Sequence, residues 1–328
     1  MLRRRDTIMR FLITTVKSVK KPLLLGCGIF IMCGVLLAGY AVKHNVFKHM
    51  EKDKKGISIS WEKEPFLCYI SGMEGRKVLV EKKRRYSDVN LLAAVNPFSH
   101  KILLINTPRD TLLTVPKVGD TEAVGQAEKL DAMPLYGRQA SKRALEELYG
   151  VRVNCTVRVD YMAFKEAVDA LGGVSVYSEM SFESDWGPAF QEGDNAVNGR
   201  EALAFVRERH HLPEGDIQRG RNQQYMIAAI MEKFWQTRNL SVFRKLLSIA
   251  RERIDTNLSM HSLRELLQWQ MKDSTQWKVE NYTIEGEQSG AVTYSSNGQE
   301  IYVFLPNRDS VQTAAEKIKK HLSYTSGD

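Results

Sequence analysis

Cysteine and proline are scarce, at four and nine of 328 residues, and neither falls into a pattern that carries familiar chemistry. No CxxC and no Cys/His ligand spacing occurs, which argues against a zinc site. The glycines form no collagen-like repeat, and 43% apolar with 26% charged residues is incompatible with wholesale disorder. The usual signatures of nucleotide and hydrolytic chemistry are missing too: there is no Walker phosphate loop, no GxGxxG after a strand, no GxSxG elbow and no HExxH. His210-His211, the one histidine pair, sits on a polar stretch and reads as a solvated loop. No internal repeat and no long Pro/Ser linker follows residue 65.

Charge is present in excess, but only locally. The formal net charge is +8, and residues 1–21 carry seven Lys/Arg against Asp6 alone. The remaining 40 basic and 38 acidic residues nearly cancel, so no nucleic-acid partner is implied. Pro22 through Val42 then lacks any charged side chain. As a helix at about 1.5 Å per residue it spans about 30 Å, the thickness of a bilayer core. Ala38-Gly39-Tyr40-Ala41 matches a cleavage site poorly, so the run reads as an uncleaved anchor. The bases before it place the N-terminus in the cytoplasm and all later residues outside, where there is no ATP supply.

The expected organisation is a basic cytoplasmic segment (1–21), a membrane anchor (22–42), a Lys-rich extracytoplasmic linker (43–62) and one domain over 63–328. Cys27 and Cys33 are small apolar residues of the span. Cys68 and Cys155 lie in apolar, strand-like runs, where a disulfide and two buried thiols look identical in sequence.

Strands are predicted over Phe66–Ser71, Asn90–Val95, Lys101–Asn106, Val151–Val159, Val174–Tyr177, Trp277–Ile284 and Gln299–Phe304. Helices are predicted over Ser141–Leu148, Tyr161–Leu171, Gly199–Val206, from Asp216 through Trp235, over 242–252 and 260–271, and over Val311–Leu322. Residues 180–197 read as irregular. Strands and helices interleave throughout, which implies a single α/β domain with helices on both sheet faces.

Arginines and acids fall into five tight groups: Glu74 with Arg76, Arg84-Arg85 before Ser87-Asp88, Arg109-Asp110, Arg207-Glu208-Arg209, and Asp216 with Arg219, Arg221 and Gln223-Gln224. Four sit at strand ends or a helix N-terminus, the edge where open α/β sheets bind ligands, and the fourth leaves a helix end. A guanidinium stays charged and offers a planar donor fork that matches phosphate oxygens. Glu74 and Asp88 would repel a diphosphate unless a magnesium ion lay between. Bland readings stand beside these: Asp216 is a natural helix N-cap, and Arg207 and Arg209 suit surface ion pairs with Glu201 or Asp110.

The order and spacing of Ser87-Asp88, Asn96-Pro97, Pro108-Arg109-Asp110, Lys129-Leu130-Asp131 and Leu171-Gly172-Gly173-Val174 resemble the LytR-CpsA-Psr family of envelope phosphotransferases. Asn198-Gly199, Arg207-x-Arg209, Gly215-Asp216-x-x-Arg219 and Gln223-Gln224 complete the match, which runs from about Phe66 to Glu232. The resemblance implies an α/β/α sandwich around a central mixed sheet behind one transmembrane helix. It implies Mg2+-dependent transfer of a glycopolymer, a teichoic acid or capsular polysaccharide, from an undecaprenyl-pyrophosphate carrier to the muramic acid 6-hydroxyl of peptidoglycan. The setting implied is a single-pass membrane protein of a Gram-positive type envelope.

By that resemblance Asp88, with Glu74, would hold the metal or help deprotonate the acceptor, and Arg109, Arg207, Arg209 and Arg219 would be catalytic. Arg76, Arg85, Arg221 and Gln223 would join them on the pyrophosphate. The prenyl tail would need an apolar tunnel, with Leu91, Leu103, Phe164, Val168, Leu203, Phe205, Met226 and Ile230 as candidates, each of which also reads as ordinary core. The chain departs from the family at Glu74, usually Asp, at Tyr86, usually Arg, at Asn222, usually Arg, and at Gly137-Arg138, usually Gly-Gly. Those shifts keep two other readings open: a non-catalytic polyprenyl-phosphate-binding envelope protein, and a lipid-pyrophosphate hydrolase.

Overall fold

A computed structural model describes residues 56–57, 59, 64–73, 86–272, 275 and 277–323. The expected cytoplasmic segment and anchor, together with Glu74, Arg76 and Arg85, lie outside the described residues. No helix among the described residues is long and apolar enough to cross a membrane.

In chain order the strands are β1 (Phe66–Met73), β2 (Ser87–Asn96), β3 (Lys101–Asn106), β4 (Leu112–Thr114), β5 (Ala127–Lys129), β6 (Cys155–Asp160), β7 (Val174–Ser178), β8 (Phe182–Glu183), β9 (Ala189–Phe190), β10 (Gly193–Val197), β11 (Asp255–Thr256), β12 (Lys278–Thr283), β13 (Gly286–Val292) and β14 (Glu300–Pro306). The helices are α1 (Ala140–Tyr149), α2 (Tyr161–Ala170), α3 (Gly199–Arg207), α4 (Asp216–Gln236), α5 (Leu240–Arg253), α6 (Met260–Lys272) and α7 (Arg308–Ser323), with a 3-10 turn over Leu130–Tyr136.

Six strands form the central sheet in the order β11-β6-β1-β2-β3-β12. The β1–β6 and β3–β12 pairs are parallel and the others antiparallel, so the sheet is mixed. β2 and β3 read as near-continuous apolar runs because both of their faces are covered. With a side-chain period of two, Leu67, Tyr69, Leu92, Leu103 and Ile105 face one layer, made by α1, the 3-10 turn and α7. Phe66, Cys68, Ala93, Ile102 and Leu104 face the other, against Ile227, Met231 and Trp235 of α4 and Leu263, Leu266 and Trp269 of α6. A second core joins α2, α3 and α4 to the β7–β10 pair through Val168, Val176, Phe205 and Met226.

Local signals set the boundaries. α1 stops at Gly150, whose φ of 58° is the left-handed conformation of a helix C-cap. Asn198 and Glu201 make a reciprocal capping box at the start of α3.

Four expectations need correction. The cap of α4 is Gly215, not Asp216, whose carboxylate is engaged elsewhere. The strand expected over Val151–Val159 begins only at Cys155, because the amides of Val151, Val153 and Asn154 bond to Glu146 and Leu67. The region 180–197 holds β8, β9 and β10. A strand precedes β14: β13 is rich in Gly and polar residues and lacks the β-branched signal that marks strands. Within the segment expected as a tether over 43–62, residues 57 and 59 pack on the domain: Ile59 is buried, its amide donates to Ser262 Oγ at 2.9 Å, and the Ile57 amide donates to the Asn257 carbonyl at 2.8 Å. Cys68 and Cys155 are free buried thiols, in register across β1 and β6.

Candidate functional site

β1, β6, β3 and β12 all run toward one edge of the sheet, where antiparallel β2 begins. Asp88 is the second residue of β2, Arg109 follows β3, and Tyr161 opens α2 just after β6. α4 crosses above the end of β3. Gly220 makes this approach feasible, because a Cβ there would overlap the Asn106 amide. Gln224 fixes the crossing: its Nε2 donates to the carbonyls of Leu104 and Tyr282, each at 2.9 Å, and its Oε1 accepts from Thr283.

A cleft of about 180 Å³ opens at this edge, lined by Asp88, Arg109, Arg207, Arg209, Arg219 and Gln223, with Val89, Tyr161, Val206, Asp185, Trp186 and His210. Arg109 Nη1 donates to Asp88 Oδ1 at 2.6 Å, and the Tyr161 hydroxyl donates to Asp88 Oδ2 at 3.0 Å. Arg219 Nη2 lies 2.5 Å from Asp216 Oδ1. Lys129 Nζ bonds Asp110 Oδ1 at 2.7 Å and lies 4.0 Å from Asp131 Oδ2. The Nε atoms of Arg109 and Arg219 are buried without a hydrogen-bond acceptor among the described residues. Arg109 Nε faces Asp110 Oδ2 at 3.5 Å and Asp216 Oδ1 at 3.9 Å, ion pairs without a hydrogen bond.

Burial dominates the electrostatics here. It lowers Arg219 below the ordinary guanidinium range, despite Asp216. For Arg109 the same burial is outweighed by Asp110, Asp216 and Asp88, and the group is held above its ordinary value. Burial raises Asp216, and it carries Asp131 up to about 7 against the opposing pull of Lys129.

Tyr161, Trp186 and Glu208, to which the sequence assigned no site role, organise the cleft wall. The Arg207 guanidinium lies 3.7 Å from the Trp186 ring centroid and 4.8 Å from that of Tyr161, a cation held between two aromatic rings. Glu208 is 1% exposed, and its carboxylate accepts the backbone N–H groups of Asp185, Arg209, His210 and His211 at 2.7–3.1 Å. Burial pushes Glu208 up, but those four bonds outweigh it and hold the acid below its ordinary range. Glu208 therefore ties the loop bearing Trp186 to the loop bearing Arg209. The signals in the sequence were an acid between two arginines and a Trp in a polar loop.

Arg221 does not reach the cleft. Two residues beyond Arg219 on a helix is a rotation of about 200°, so its side chain faces away. It pairs there with Glu214 at 2.6 Å and Glu179 at 3.1 Å. Gln223, four residues beyond Arg219, returns to the cleft face.

Beneath the cleft lies a pocket of about 90 Å³ with a wholly apolar surface. Leu91, Phe164, Leu203 and Met226 line it, and it shares Val89, Tyr161, Val206 and Gln223 with the cleft. The other tunnel candidates lie elsewhere. Leu103 points to the opposite sheet face by strand alternation, Val168 and Phe205 are interior to the second core, and Ile230 packs against that core.

With this geometry in place, the comparisons define the class: residues 34–320 match the LytR_cpsA_psr family, and the chain belongs to it. The polyisoprenyl-teichoic acid–peptidoglycan teichoic acid transferase TagU of Bacillus subtilis is 24% identical over 282 residues, 86% of this chain and 85% of that protein. The crystal structure of B. subtilis TagU superposes with a TM-score of 0.57 at 25% identity, covering 80% of this chain and 99% of the other. A structure described as TagT bound to LI-WTA shares the fold, with a TM-score of 0.61 at 20% identity over 84% of this chain and 99% of that one.

Proposed function

We propose that this chain transfers a glycopolymer from an undecaprenyl-pyrophosphate carrier to the muramic acid 6-hydroxyl of peptidoglycan, forming a phosphodiester in cell-wall assembly. The observation that carries the reading is the continuity of an arginine-lined cleft with an apolar pocket, through Val89, Tyr161, Val206 and Gln223. A prenyl pyrophosphate has that same sequence of chemistry: a multiply charged head followed by a hydrocarbon chain. The transferase activity for which the TagU relatives are named agrees with it.

In this reading Arg109, Arg207, Arg209 and Arg219 bind the diphosphate. The acceptor oxygen attacks the phosphorus nearest the polymer, and the bond to the bridging oxygen breaks. Undecaprenyl phosphate leaves with the electron pair. Charge shifts to that leaving phosphate, and guanidinium groups fixed by Trp186, Tyr161 and the buried acids stabilise it without reorganising. Asp88 takes the acceptor proton. Its carboxylate lines the cleft and is an oxygen donor of the kind Mg2+ takes, so Asp88 fits that ion, and Glu74 would join it as the family resemblance implies. When bound, Mg2+ would offset the repulsion between carboxylate and diphosphate. Residues 22–42 would anchor the domain at the outer membrane face, between lipid donor and wall acceptor.

The test uses cells that carry this chain as their only such enzyme. Asp88→Ala or Arg109→Ala is expected to abolish phosphodiester-linked polymer on muramic acid while the melting transition is retained. Unchanged attachment would overturn the reading. Free polymer phosphate in place of the muramic acid linkage would identify hydrolysis. Co-purified prenyl phosphate without turnover would identify a binding protein.

A further inference from the structure

A separate groove of about 590 Å³ runs along the far side of α4, on the face that carries Arg221. One wall is α4, with Glu214, Ile217, Arg221 and Tyr225, and the other is the run 281–286, the end of β12 and the turn after it. β12 is the last strand of the central sheet, and its outer side meets no further strand among the described residues. The amides of Lys278 and Ile284 donate to His100 and Asn106 across the parallel pairing with β3, so the even-numbered residues are the ones bonded inward. By the alternation of a parallel ladder, the N–H and C=O of Asn281 and the N–H of Thr283 point outward at this edge. Beyond them the backbone is occupied: the Glu285 amide donates to Ser310 Oγ at 2.8 Å, and its carbonyl accepts from Asn307. An edge that leaves such groups unpaired is a template on which an extended peptide adds as one more strand.

The groove is also acidic. Arg221 is shared between Glu214 at 2.6 Å and Glu179 at 3.1 Å, and Glu285 adds an exposed residue with a further carboxylate. Three acids against one arginine favour a ligand that carries an amine. We propose that this groove receives the short, amine-bearing peptide of the peptidoglycan acceptor, paired to Asn281 and Thr283 of β12 with its amine toward Glu214 and Glu285. The choice of peptide rests on the transferase reading. In that acceptor the peptide hangs from the same muramic acid residue as the 6-hydroxyl. The spacing suits this, because strands about 4.8 Å apart place β12 about 10 Å from β2, which carries Asp88. The start of α4 stands between the two sites, with Arg219 on the cleft and Arg221 on the groove.

The experiment is calorimetric titration of the full chain with two probes: a muramic acid disaccharide bearing a tetrapeptide with a free side-chain amine, and the same disaccharide without the peptide. The first is expected to bind, and the second about tenfold more weakly or worse. Asn281→Pro removes one outward N–H at a position where an edge strand tolerates proline, and should weaken the first probe about fivefold. Asn281→Ala keeps that N–H and should match the parent. Glu285→Gln should weaken the first probe about threefold, and acetylating the probe's amine should remove that difference. All three variants should bind prenyl diphosphate as the parent does. Equal binding of the two probes would overturn the proposal, as would no saturable binding of the first. So would parental affinity in a folded Asn281→Pro variant, or equal losses from Asn281→Pro and Asn281→Ala. Should Asn281→Pro not fold, Glu285→Gln decides, and parental affinity there would overturn the proposal. The readout is acceptor binding rather than transfer, so a failed groove leaves the transferase reading standing, and a silent Asp88→Ala leaves the groove standing.

Discussion

Asp131 offers the sharpest quantitative test of the charge cluster. The residue is the second of the 3-10 turn, its amide donates to the Arg109 carbonyl at 2.8 Å, and its Oδ1 is buried without a hydrogen-bond donor among the described residues. Burial is the largest cause of its shift. Lys129 opposes it, Asp110 adds to it, and the carboxyl moves from 3.8 to about 7. Between those values the native state keeps a proton that the unfolded chain has released, so stability falls as pH rises from about 4 to about 7. The cost is complete above pH 7. Roughly three units at about 1.4 kcal/mol each give a cost on the order of 4 kcal/mol. Asp131→Asn replaces the acid with a neutral group of the same shape. It should therefore unfold with parental stability near pH 4 and gain about 2–4 kcal/mol by pH 8. Urea unfolding followed by tryptophan fluorescence at pH 4.5, 6, 7 and 8 measures this. A variant less stable than the parent at pH 8, or a difference that does not change with pH, would refute the argument.

Two further substitutions test the geometry of the cleft. Arg219→Lys keeps the charge but loses the donor fork, worth about 1.5–3 kcal/mol for a charge-assisted bond, so prenyl diphosphate affinity should fall about tenfold or more by calorimetry. Arg221→Ala should leave that affinity unchanged and cost at most about 1 kcal/mol in thermal stability, because its partners Glu214 and Glu179 lie off the cleft. Leu203→Trp should fill the apolar pocket. A long-chain prenyl phosphate would then bind about tenfold more weakly, the cost of about two unburied methylenes, while a short-chain analogue would bind as before.

The contrast between Arg219 and Arg221 shows where sequence reading reaches its limit. β3 is legible residue by residue, because Lys101–Asn106 is a short apolar run closed by a turn on one side and Pro108 on the other. The five arginine groups are legible too, as charge placed beside strand ends. What a linear pattern does not encode is phase. Arg221 is as close to the Gln pair as a phosphate ligand needs to be in sequence, yet two steps of helix turn it toward Glu179. Leu103 fails as a tunnel residue for the parallel reason in a strand, facing Ala94 and Ile105 on the α1 side, whereas Leu91 faces the pocket. Tyr161 and Trp186 went without a role because each acts through a partner 20 or more positions away, and Glu208 because its link to Asp185 spans 23 positions.

Those three residues make the cleft wall a composite of strand ends and an irregular loop, and this has a mechanical consequence. Trp186 reaches Arg207 only because Glu208 gathers the amides of Asp185 and residues 209–211. Tyr161, part of that stack, and Val206, next to Arg207 in the chain, belong to the shared boundary with the apolar pocket. In the proposed reading, position along the diphosphate and depth of the prenyl chain would therefore be set by one connected wall. A change that loosens the Glu208 tether would shift both together, whereas a change within the pocket, such as Leu203→Trp, would alter chain depth and leave the guanidinium spacing intact.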